Sequence, residues 1–362
     1  MKGLSKDRTR PSRRALAKRV IAASVVSCLG GCAGGVRPGA SASVSRRATP
    51  ALLLPLSGDM AELAGTMAKS AWLAGDTSGA GQKVSTYDTG GTPEGAAAAA
   101  RQAVAEGASV IVGPLFARET LPVVQAGAGV PVITLSNDEM LAETGAYVFG
   151  ISPRQSAETM LEFARSSGAR RIGVVVPEGR FGSRVAGAVA GAARAARLAA
   201  GQSVSAAVAP GQLLASLRAA SGGRLPDIVY LPFAGGPLPA IATVLRQAGI
   251  KLCGSAQWAA SAPLDIPALE GTCFPGPDPA RFARLSGAMA ERFDARVGIL
   301  AGLAADAVSF AATVEAGRGG ATLARRKTFA GVLGDFRFAR DRLCQRKLAI
   351  LRVGESAVEV VG

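Results

Sequence analysis

Ala51-Leu52-Leu53-Leu54-Pro55-Leu56-Ser57-Gly58 is the stretch from which the rest of the chain is read. Six apolar residues in succession, with no alternation, suit a strand buried on both faces, as in a parallel sheet. Ser57-Gly58 supplies the turn. Residues 59–74 then repeat apolar side chains at helical spacing (Met60, Leu63, Met67, Trp72, Leu73). Val84-Ser85-Thr86-Tyr87 reads as a second, half-polar strand. Thr92-Pro93-Glu94 is a helix start, with an N-cap hydroxyl, proline at the first helical position and an acid in the first turn. This Ala-rich helix runs to Glu106, and Gly107 suits the residue just past its end. Ser109-Val110-Ile111-Val112 is a third strand, residues 118–126 a helix, and Val130 to Leu135 a fourth strand. Repeated strand–helix units of this kind give a parallel sheet with helices on both faces.

A second series follows Tyr147-Val148-Phe149 and the crossover Ile151-Ser152-Pro153. Helices over 155–167, 183–199, 211–220 and 237–248 alternate with strands Arg171 to Val176, Ser203 to Val208, Asp227 to Leu231 and Ile250 to Leu252. Each strand is short, apolar and bounded by Gly or Pro. From Thr272 the pattern changes. Phe274-Pro275-Gly276-Pro277-Asp278-Pro279 reads as an irregular connection, followed by helices over 280–294 and 299–316. Gly334-Asp335-Phe336-Arg337-Phe338 alternates as a short strand, and Lys347 to Val353 closes the series.

Upstream of residue 50 the chain has another character. Eight Lys/Arg residues precede the apolar run Val20 to Leu29, which ends in Leu29-Gly30-Gly31-Cys32. A basic start, an apolar segment too short to span a bilayer and small residues at a cleavage point describe an export signal over 1–31. The small residues before Cys32 also fit the lipobox of bacterial lipoproteins, in which that cysteine carries the lipid. A plain signal cut elsewhere, for instance after Cys32 in Cys32-Ala33-Gly34-Gly35, is the alternative. Residues 32–49, rich in Gly, Ser, Ala and Arg, read as a flexible tether. A lipid anchor would hold the protein on the periplasmic side of the envelope. Ala33 rather than Asp after Cys32 favours the outer membrane, if the enteric sorting rule applies.

Composition sets limits. The formal charge is +15, from 41 basic and 26 acidic residues. Removing the eight basic and one acidic residue of 1–31 leaves 33 and 25, a net of +8 spread along the chain. Nucleic-acid binding needs a basic stripe with interleaved aromatics, and aromatics make up 5% here. Histidine is absent, which removes Ser-His-Asp and Cys-His catalysis and most zinc sites. No cofactor is expected. Cys253, Cys273 and Cys344 allow one disulfide with one thiol left over, or three buried thiols; their spacing is not a metal pattern.

Four stretches together resemble the type I periplasmic-binding-protein fold, in its branched-chain amino-acid-binding group. They are Leu53 to Gly58; Tyr87-Asp88-Thr89-Gly90-Gly91-Thr92-Pro93 leading to Ile111-Val112-Gly113-Pro114-Leu115; Pro131 to Asn137; and Asp335-Phe336-Arg337-Phe338 followed by Arg346-Lys347-Leu348-Ala349-Ile350. More narrowly, the chain is similar to the stand-alone lipoproteins called penicillin-binding protein activators. The resemblance implies an α/β fold of two lobes, parallel sheets flanked by helices, joined by three hinge crossovers near Gly150–Ser152, Gly254–Thr272 and Gly334–Phe336. Lobe one would be 50–149 with 273–333, and lobe two 153–253 with 339–362. A cleft between the lobes would hold the ligand.

The resemblance also implies a Ser at the fifth position of Gly113-Pro114-Leu115-Phe116-Ala117, where this chain has Ala117. Ser136 matches the next hydroxyl, with Asn137 beside it. Phe181 stands where many relatives carry Tyr, and Phe233 is a further cleft-facing candidate. For Ser57, Ser136 and Asn137 the alternative to ligand contact is turn formation or helix capping. For Phe181 and Phe233 it is packing, and for Asp88 it is a turn cap. No ammonium-binding acid is identified in lobe two. The function expected is a non-catalytic lipoprotein that binds a penicillin-binding protein. The alternative is a solute-binding lipoprotein delivering amino acids or short peptides to an ABC permease.

Overall fold

The unbroken apolar run does what its composition requires. In the computed structural model, which describes residues 49–77, 84–261, 265–314, 323, 328–355 and 357–361, strand β1 (Pro50–Leu54) is fully buried. Leu52 and Leu54 enter one core cluster while Ala51 and Leu53 enter another on the opposite face. Around it lie β2 (Ser85–Asp88), β3 (Val110–Val112), β4 (Val132–Thr134) and β5 (Tyr147–Val148), all parallel, in the order β2-β1-β3-β4-β5. Helices α1 (Ala61–Thr77), α2 (Pro93–Ala105) and α3 (Ala117–Ala126) connect them. The start of α2 is as read: the Thr92 hydroxyl accepts from Gly95 N–H at 3.1 Å, and Gly107 past its end has φ +90°.

The second lobe repeats the scheme with α4 (Pro153–Ser166), β6 (Arg171–Val176), α5 (Arg180–Ala195), β7 (Ala199–Ser205), α6 (Pro210–Ala220), β8 (Ile228–Leu231), α7 (Leu238–Gln247), β9 (Lys251–Gly254) and α8 (Trp258–Ser261). Four later segments follow in the order β10 (Cys273–Gly276), α9 (Pro279–Phe293), α10 (Ile299–Ala312) and β11 (Phe329–Gly331). The chain closes with β12 (Gly334–Phe338), β13 (Cys344–Arg346), β14 (Ala349–Val353) and β15 (Val358–Val360). The second sheet runs β15-β14-β10-β9-β8-β6-β7, and a small antiparallel sheet runs β11-β12-β13.

Two expected boundaries move. Phe274 to Gly276 is not an irregular connection but part of β10, inside the second sheet, parallel to β9 and antiparallel to β14. Pro275 lacks a ladder donor and so argues against a central strand in the sequence. Its position tolerates this: β9 pairs with β10 only at Cys253–Cys273, and Ile350, opposite Pro275, gives its carbonyl to Val361 N–H. The crossover placed over Gly254–Thr272 therefore lies after Gly276. The crossover placed at Gly334–Phe336 also lies later, after Arg346. Leu333, Phe336, Phe338 and Cys344 pack into lobe one's core, and β14 begins the return to lobe two. Among the described residues, those of 50–149 and 279–346 thus go with lobe one, and those of 153–276 and 349–361 with lobe two. Alternation in 334–338 shows a strand but not which lobe it covers. Smaller shifts occur where Ala-rich helices end: residues 196–199 leave the helix, and β7 starts at Ala199. The signal, Cys32 and most of the tether lie outside the described residues.

A buried ion pair fastens the small sheet to lobe one. Asp306 on α10 and Arg346 on β13 are essentially solvent-free, with Nη1 and Oδ2 2.6 Å apart. The Asp306 carboxylate also accepts from Val332 and Leu333 N–H, at 2.6 and 3.2 Å. The Arg346 guanidinium lies over the rings of Phe149 and Phe336, 5.0 and 4.7 Å from their centroids. Removing one member leaves a buried charge alone. Arg346→Met is expected to cost about 3–5 kcal/mol, read from chemical denaturation. A loss under about 1 kcal/mol would contradict this account of the pair.

Candidate functional site

In each lobe the strand order reverses beside the first strand, between β1 and β3 and between β6 and β8. Crevices form outside the carboxyl ends of strands at such points. The loops after β3, β4, β6, β8 and β9 meet there and enclose a cavity of about 580 Å³ between the lobes. Lobe one contributes Leu115 to Ala117, Leu135 to Asn137, Met60 and the start of α10; lobe two contributes Phe181, Tyr230, Ala234 and Ser255 to Gln257.

Local chemistry fixes both walls. In lobe one, Thr134 Oγ1 lies 3.0 Å from Thr120 Oγ1, donates to the Pro114 carbonyl and receives Ser136 N–H. The Ser136 hydroxyl in turn accepts from Asp138 N–H at 3.2 Å. Gly150 closes behind it, where a Cβ would lie 2.5 Å from the Ser136 carbonyl oxygen. In lobe two, Tyr230 is buried at the end of β8, and burial pushes its phenol pKa up. Its OH lies 2.9 Å from the Ser156 hydroxyl, which also accepts Ala256 N–H. Ser255 donates to the Pro232 carbonyl at 2.8 Å. The lining contains hydroxyls, one Asn, one Gln and apolar side chains, with no acid and no base.

Of the residues singled out in the sequence, Ser136, Asn137 and Phe181 line the cavity. Ser57, Asp88 and Phe233 do not. Asp88 caps the turn after β1, accepting from Leu56 and Gly90 N–H at 2.8 Å each and from Ser57 N–H at 3.3 Å. These bonds draw its carboxyl below the usual range, outweighing desolvation, which raises it and is the largest single effect. Phe233 belongs to the lobe-two core, and its carbonyl receives the Trp258 indole N–H. Tyr230, Ser156 and Ser255 were missed. The one available signal was a tyrosine in an otherwise apolar strand, whose buried hydroxyl needs a partner. Cys253, Cys273 and Cys344 are free thiols. Among the described residues no group of three or more Cys, Asp or Glu side chains is placed to hold a metal.

Charge sits at the rim of the cleft. Arg184 on α5 pairs with Asp138 of lobe one, the neighbour of Asn137. Nearer the hinge, Arg154 of α4 lies 3.1 Å from Glu139 and 3.9 Å from Asp341. Gln155 donates to the Arg346 carbonyl at 2.7 Å. These contacts join the lobes through the protein's own side chains.

The matched family model is that of the periplasmic binding proteins, over residues 51–357. The chain belongs to this family. It is of the leucine-binding-like type I class, and membership implies work in the periplasm. No curated protein matches in sequence. The fold is similar to that of a putative branched-chain amino acid ABC transporter from Rhodospirillum rubrum (TM-score 0.75, 17% identity, 87% of this chain and 100% of that one). It is also similar to full-length LpoA from Haemophilus influenzae (0.68, 18%, 88% and 59%). A third is an ABC-transporter solute-binding protein from R. palustris in complex with benzoate (0.60, 17%, 86% and 95%). At these identities the likeness shows the fold. The family is one of binding proteins.

Two outcomes are expected. Arg184→Gln with Arg154→Gln removes the rim and hinge pairs together, and small-angle scattering should show a larger radius of gyration than wild type; superimposable curves would show that these pairs do not hold the lobes. Glu119, fully buried on α3, has its carboxyl pushed up to about 7 by burial, against the pull of Arg118 and the Thr89 hydroxyl. Because the folded value is raised, the folded state holds its proton more tightly than the unfolded state does. Stability is therefore lost as pH rises from the unfolded value of 4.5 to about 7 and is level above. Glu119→Gln should stabilise by roughly 2–3 kcal/mol at pH 8 and by under about 1 kcal/mol at pH 5. Equal shifts at both pH values would rule this out.

Proposed function

We propose that the protein is a non-catalytic envelope lipoprotein that regulates peptidoglycan synthesis by binding a penicillin-binding protein. In this reading Cys32 carries the lipid, and Ala33 after it favours the outer membrane. The observation that carries the proposal is the chemistry of the cleft. A free amino acid needs a carboxylate or several carbonyls for its ammonium, and hydroxyls or amides for its carboxylate. No acid lines this cavity, and Ala117 stands where the resemblance implies a Ser. The cleft is therefore poorly suited to the cargo of its amino-acid-binding relatives, while the fold is the family's and the chain's own side chains join the lobes. The absence of histidine from the whole chain supports a non-catalytic role. The likeness to LpoA lends weight, since its isolated C-domain, of which this chain covers 99%, is described as part of a regulator of PBP1A.

A second reading, a solute-binding lipoprotein for an ABC permease, is favoured by the size of the cavity and by the benzoate-bound relative. The two separate on one experiment. The chain is added to a purified bifunctional penicillin-binding protein of the same organism, and glycan polymerisation and peptide cross-linking are timed. The regulator reading expects saturable stimulation of at least one activity. No binding and no change in either rate, together with loss of growth on a particular solute when the gene is deleted, would favour transport.

A further inference from the structure

We infer that the interlobe cleft takes a ligand with an apolar body, a head group whose oxygen accepts hydrogen bonds, and no amine. The inference shares with the proposal above the acid-free lining of the cleft, but it concerns only what the cavity holds, and the stimulation assay tests the penicillin-binding protein separately.

Size comes first. A cavity of about 580 Å³ lies within the range of small-molecule sites, roughly 300–1,000 Å³. Its walls are Leu115, Phe116 and Leu135 from lobe one and Phe181 and Val185 from lobe two, with Leu300 at the start of α10. Such a surface gains by covering an apolar body, at roughly 25 cal/mol per Å² removed from water.

Charge comes second. A cation moved into this cavity loses its water and meets no carboxylate. The lobe-two hydroxyls are already engaged, Tyr230 with Ser156 and Ser255 with Pro232. Of the charged groups nearest along the chain none lines the cavity: Glu119, two residues past Ala117, is buried behind the wall with its carboxyl pushed up to about 7 by burial, and two others have partners. Asp138 pairs with Arg184 at the rim, and Arg118 donates to the Gly91 carbonyl at 2.7 Å while lying over the Phe116 ring. An unpaired buried ammonium costs several kcal/mol. An oxygen acceptor meets a different environment. Ser136 and Asn137 line one side, and α3 begins beside them at Ala117, with no side chain capping its first turn. Ala117 leaves room there that a larger residue would fill.

The test uses the purified full chain, with benzoate, benzamide, phenylalanine and leucine as probes, read by thermal unfolding and calorimetric titration. Benzamide, benzoate or both should raise the unfolding midpoint and bind at least about tenfold more tightly than phenylalanine, which shares their ring. Binding by both shows that a neutral acceptor suffices; binding by benzoate alone shows that the acid is required. Phe181→Ala, at a half-buried position, should weaken the bound probe. Ala117→Asp places an acid in the first turn of α3, which suits the helix. It takes up head-group space for both probes and adds charge repulsion for benzoate alone, so benzoate should lose more affinity than benzamide. Phenylalanine or leucine binding as tightly as benzamide would overturn the inference and restore amino-acid cargo. No shift with benzamide or benzoate would overturn it as well, and would leave the stimulation assay, which contains no ligand, untouched.

Discussion

The pair Asp306–Arg346 is the constraint on which the two-lobe arrangement depends. Burying either charge alone would cost several kcal/mol, so α10, the β11–β12 connection and β13 have to arrive together. The carboxylate receives Arg346 and two backbone N–H groups, and the guanidinium is covered by the rings of Phe149 and Phe336. Phe149 ends the first run of lobe one, and Arg346 ends the last. Both stand immediately before a crossover. The same cluster that closes the lobe-one core thus fixes where the chain leaves for lobe two. Gln155 of lobe two reads the Arg346 backbone carbonyl directly.

Much of this architecture was legible because the signals were local. The run 51–54 buries both faces, Thr92 caps α2 through its hydroxyl, and Gly107 takes the positive φ that ends the helix. Each follows from a few neighbouring residues. What was not legible depended on partners distant in sequence. Pro275 argues against a central strand until it is known that β9 pairs only with the first residue of β10. Phe336 and Phe338 alternate as a strand should, but only the core they enter assigns them to lobe one. The buried pair itself joins residues forty positions apart, and neither is flagged by its surroundings in the sequence.

The site divides along the same line. Ser136, Asn137 and Phe181, to which the resemblance pointed, follow strand ends, where crevices form. Asp88 and Ser57 also follow strand ends, but three N–H groups converge on the Asp88 carboxylate and use it to shape the turn. A strand-end position alone does not separate a wall residue from a turn residue. Tyr230 and Ser156 lie seventy-four positions apart, and their bond is visible only after lobe two has folded.

Placing charge at the rim and hinge, and none in the cavity, has a physical consequence for how the lobes move. In a cleft whose ligand supplies both charges, closure is driven by ligand contacts that each lobe completes. Here Arg184–Asp138 and Arg154–Glu139 already run between the lobes. Both pairs are partly exposed, so each contributes modestly and is weakened by salt. The lobes are then held by several small terms, none of which requires the cavity to be filled. A ligand entering such a cleft adds apolar contact to an arrangement the protein already favours, and its differential affinity for open and closed forms is correspondingly small. A partner protein that touches both lobes would act on the same balance from outside. The surface it meets would be set by the rim pairs and by the hinge around Arg346.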